Sequence, residues 1–93
     1  MLTKVSSDDM EKKKAAEIGR VTAAGTRAVA SARSTLMARL GAKELAASED
    51  EKASIETTVE AARVVVRAEE QKMERAIDEV SNKWDDLIEK RTR

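Results

Sequence analysis

An all-α chain folded as an antiparallel hairpin of two long helices is what this sequence predicts, and three observations predict it. Proline is absent and only 3 glycines occur in 93 residues, while 39% of the chain is charged and 1% aromatic. That composition is rich in helix formers and poor in material for a deep globular core. Two separate stretches carry apolar residues three or four apart, the spacing of a helix stripe. A residue suited to capping precedes each stretch, Ser6 or Ser7 for the first and Ser48 for the second. Two amphipathic helices joined by a short connection fold back on each other, and this hairpin would be completed by self-association or by a helical partner.

The second helix, expected over about 49–90, has the clearer start. Ser48 followed by Glu49, Asp50 and Glu51 has the form of a capping box, in which the serine oxygen accepts from a backbone N–H and Glu51 reaches back. Ile55, Val59, Ala62, Val66, Met73, Ile77, Val80, Trp84 and Leu87 then trace one stripe, interrupted by Glu69 and Glu70. Lys90, Arg91 and Arg93 suit the negative end of the helix dipole.

The first helix is expected over about 8–40, after an N-terminal segment 1–7, with Asp8 and Asp9 in its first turn. Its stripe repeats every eleven residues, in Ile18, Val29 and Leu40 and again in Met10, Val21 and Ala32. A third set, Gly25 and Leu36, is flawed by Lys14. An eleven-residue period lies close to that of a straight helix. Gly41 stands where a left-handed residue would end the helix, so the connection is expected over 41–48.

A turn centred near Glu44 would pair positions whose numbers sum to about 89, placing Val29 against Val59 and Arg20 against Glu69. In that register the second helix, at roughly 65 Å, outruns the first at roughly 50 Å. Val80, Trp84, Leu87 and Ile88 would then lie at or past the start of the first helix, with only Leu2 and Val5 to cover them. These four residues are the predicted partner interface.

The absences bound the chemistry. Without histidine, cysteine or tyrosine the chain lacks the usual general bases near neutral pH, the thiolate nucleophile and the soft metal ligands. Adjacent carboxylates such as Glu69 and Glu70, or Asp85 and Asp86, point about 100° apart around a helix and do not converge. No catalytic residue, cofactor, metal or small-molecule substrate is therefore expected. No apolar run reaches the roughly 20 residues that span a bilayer, and Met1–Met10 has no signal-peptide core.

Net charge is 0, but residues 8–43 hold more bases than acids and residues 49–90 more acids than bases. The halves are electrostatically complementary. In length and two-helix layout the chain resembles the small helical hairpins exported and assembled by bacterial secretion systems. It reads Leu40, Gly41, Ala42, Lys43 where one such family has Trp-x-Gly, and it lacks the proline turn of the needle subunits, so it is assigned to neither. The expected role is a structural or protein-interaction module: a homo-oligomer, a filament subunit or a partner-binding hairpin. The alternative is a nucleic-acid-binding hairpin using Lys13, Arg20 and Arg27, which recur every seven residues. Zero net charge and the lack of stacking aromatics count against it.

Overall fold

The computed structural model describes the backbone of residues 2–92 and the side chains of residues 8–90. It is an all-α hairpin with no strand among the described residues: α1 spans Leu2–Leu45, α2 spans Glu49–Thr92, and Ala46, Ala47 and Ser48 join them. The molecule measures 72 × 15 × 9 Å, the shape of two helices side by side.

The capping box forms at the start of α2. Ser48 Oγ accepts from the Glu51 N–H at 3.1 Å, and Glu51 Oε2 accepts from the Ala47 N–H at 3.1 Å, one residue before the serine's own. The box thus spans the connection and secures both the first turn of α2 and the chain leading into it. Ser48→Ala should destabilise the hairpin by about 1 kcal/mol, read as a shift in urea midpoint at unchanged slope.

Two boundaries differ from the sequence expectation. Gly41 does not end α1; its φ is negative and the helix runs on through Ala42, Lys43, Glu44 and Leu45. Good helix formers follow the glycine, and Lys43 pairs with Glu56 across the seam, so the helix continues past it. At the other end α1 begins at Leu2, so Ser6 and Ser7 lie within the helix and Asp8 and Asp9 lie beyond its first turn. With no glycine or proline between Leu2 and Val5, nothing local stops the helix earlier.

With α1 running on to Leu45 the connection narrows to residues 46–48, and the observed facing positions sum to about 99 rather than about 89. Lys14 meets Asp85, Thr26 meets Met73 and Lys43 meets Glu56. Arg20 therefore does not face Glu69, and the neighbouring Glu70 pairs across the seam with Arg33 at 3.9 Å.

Every member of the eleven-residue sets in α1 is buried or half-buried, including Lys14 in the flawed set and Lys43, which continues Met10, Val21 and Ala32. The seam of α2 instead repeats every seven residues: Lys52, Val59, Val66, Met73 and Val80, flanked by Ile55, Ala62, Glu69 and Ala76. The fully packed part is small. Val29, Ala32, Val59, Ala62 and Val66 form the buried core, set toward the connection. Gly25 lets the helices approach farther along, because a Cβ there would lie 2.6 Å from Met73 Sδ.

Candidate interaction surface

The register places the predicted interface inside the hairpin's span instead of beyond it. Both helices are 44 residues long, so α2 does not outrun α1. Val80, Trp84 and Ile88 are half-buried, and Leu87 is 40% exposed. The residues across from them are Met10, Lys13, Lys14 and Glu17, which the expected register had displaced by about ten positions. Cover by Leu2 and Val5 concerns side chains outside the described residues.

Trp84 is tied to its own chain. Its indole N–H donates to Glu17 Oε2 at 2.5 Å, while Lys83 Nζ donates to the other oxygen, Glu17 Oε1, at 2.8 Å. Lys83 Nζ also lies 5.4 Å from the centre of the Trp84 ring, within cation–π range. Next to this cluster, Lys14 pairs with Asp85 at 2.5 Å. Lys14–Asp85, Arg33–Glu70 and Lys43–Glu56 cross the seam with the cation on α1, and Glu17–Lys83 crosses it with the cation on α2. An open groove remains beside the tryptophan, lined by Met10, Lys13, Leu87 and Lys90.

These contacts shift titrations in opposite senses. Hydrogen bonds from Lys83 and then Trp84 hold the Glu17 carboxyl below its ordinary value, and the bond from Lys43 does the same for Glu56. The bond to Asp85 raises Lys14 above its ordinary value. A lowered carboxylate contributes stability above its unfolded value and loses it as pH falls through the folded one; a raised lysine contributes below its unfolded value and loses it as pH rises. Thermal stability should therefore be flat near neutrality, fall below about pH 4.5 and fall again above about pH 10.5. Melting curves of Glu17→Gln should show a shallower acid limb and an unchanged alkaline one.

No protein-family model, curated protein or solved structure matches this chain. No group of residues suited to a metal occurs among the described residues, and none of their helices is long and apolar enough to cross a membrane. The basic stripe of α1 is present but narrowed. Lys13, Arg20 and Arg27 are exposed, whereas Lys14 is drawn into the seam by Asp85 and Glu17 sits within the field of Arg20.

Sequence reasoning missed a surface on the other side of α2. Val64 and Val65 are 60% and 49% exposed, and they lie in a run whose outward residues carry no charge. The signal was in the sequence, as a second apolar spacing beside the Val59–Val66 stripe.

Proposed function

We propose that this chain is a structural or protein-interaction module that assembles through its helical surfaces, with itself or with a helical partner. The observation that carries this reading is area. The chain exposes 6973 Å², whereas a compact monomer of its 10.2 kDa mass exposes about 5,300 Å², leaving an excess of about 1,700 Å². A standard interface takes roughly 800 Å² from each partner, so the excess is about twice what one such interface removes from a chain. The small buried core supports the same reading: among the described residues five are buried, none larger than valine, which gives a hairpin little apolar burial of its own.

Mass measured by sedimentation across a hundredfold range of concentration tests the proposal. A dimer or larger species of defined mass is expected, or a monomer whose melting temperature rises when a helical partner is added. A monomer that melts cooperatively and gains nothing from any partner would sink it. At the Val80, Trp84, Leu87 and Ile88 end, the exposed Leu87 is the contact on offer, so Leu87→Lys should reduce binding there without loss of helicity.

Nucleic-acid binding stands second. The zero net charge and the pairing of Lys14 leave few cations for phosphates, so binding to duplex or single strands should be weak at physiological salt. Submicromolar affinity with a steep salt slope, lost in Lys13→Gln, Arg20→Gln, Arg27→Gln, would reverse the order.

A further inference from the structure

The outer side of α2 between Ala53 and Ala68 is built unlike the rest of the hairpin. Ser54, Thr57, Thr58, Ala61, Val64 and Val65 are exposed, uncharged and spaced three or four apart, and with Ala53 and Ala68 they cover an arc of about 140°. That arc faces away from the Val59, Ala62 and Val66 side that packs on α1. The charges of the same stretch, Glu56, Glu60, Arg63 and Arg67, all lie on one flank of it. A 44-residue helix in a chain that is 39% charged thus keeps a second seam free of charge for four turns.

We propose that a second copy of this chain packs on this stripe, α2 against α2, antiparallel and centred on Ala61, making a four-helix layer from two hairpins. The proposal rests on the assembly reading above and names its partner and its face. Two observations select a second copy. In a two-fold pairing centred on Ala61, Ser54 meets Ala68 and Thr58 meets Val64, so the stripe covers itself with small side chains and no charge is buried. The flank is antisymmetric about the same centre: Glu60 of one copy faces Arg63 of the other, and Glu56 faces Arg67. Antiparallel helices set like flanks face to face, so both matches are made at once, and each occurs twice in the dimer. Parallel pairing sets the charged flank against the neutral one and makes neither. Glu60 and Arg63, 3.7 Å apart within one chain, are thus already neighbours in the group that would join the copies. Beyond the stripe the complementarity stops, with Glu49 opposite Glu74, so contact is confined to these four turns.

The absence of cysteine makes the geometry directly readable. Under mild oxidation Ala61→Cys should form a disulfide-linked dimer at least tenfold faster than Ala68→Cys, because only the central position meets its own copy in an antiparallel pair. Val64→Glu combined with Val65→Glu should raise the dimer dissociation constant at least tenfold while helicity is retained at high concentration. A wild-type chain that stays monomeric overturns this proposal and self-assembly together. A wild-type dimer in which Ala68→Cys links as fast as Ala61→Cys, or in which neither links, overturns the stripe or its orientation and leaves assembly standing. Should the double glutamate variant unfold, the ratio of the two cross-linking rates decides alone.

Discussion

Val59→Asp should remove most of the hairpin's stability. Val59 has 0% of its surface exposed and belongs to the buried core with Val29, Ala32, Ala62 and Val66. A carboxylate there would sit among apolar side chains, and Lys43 on the inner face of α1 is already engaged with Glu56. Burying an unpaired charge or the neutral acid costs on the order of 4 kcal/mol, a large part of the roughly 5–15 kcal/mol that holds a small domain folded. Ala16→Asp, on the exposed side of α1, carries only the helix-propensity difference of under about 1 kcal/mol. Urea unfolding followed by circular dichroism compares the two. Equal midpoints would mean that the seam near Val59 is not the centre of packing.

Gly25→Ala should destabilise the chain, although Gly19→Ala and Gly41→Ala should each stabilise it by about 1 kcal/mol. All three glycines are helical with negative φ, so alanine gains the same propensity at each. Only Gly25 is crowded. A Cβ added there would lie 2.6 Å from Met73 Sδ and 2.8 Å from Met73 Cβ, whereas nothing lies within 4 Å of one at Gly19 or Gly41. The methionine tip can swing aside, but its Cβ moves only with the α2 backbone, and overpacking of this kind costs about 1–3 kcal/mol. The net change at Gly25 is a loss of up to about 2 kcal/mol, of opposite sign to its neighbours in sequence. Adding Met73→Ala should recover much of it, and a double-mutant cycle measures how much. A Gly25→Ala chain as stable as Gly19→Ala would show that the helices do not approach there.

Several of these features are legible before any fold is known. The all-α class follows from helix formers without proline, and the start of α2 follows from Ser48 and Glu51, whose side chains accept from the Glu51 and Ala47 N–H groups. The eleven-residue sets of α1 identified its inner face, and the member that looked like a flaw, Lys14, lies in the seam because Asp85 pairs with it. Continued once more, the set Met10, Val21, Ala32 reaches Lys43, a signal that the helix passes Gly41.

Local sequence determined two helices and their inner faces because capping and apolar periodicity are properties of neighbouring residues. Register was decided only by the tertiary structure. Gly41 is compatible both with a helix end and with a helix interior, and the contact that selects the interior, Lys43 with Glu56, comes from residues 13 apart on the other side of the turn. The register that the contacts across the seam set, with facing pairs summing to about 99, puts Trp84 against Glu17 and not at a free end.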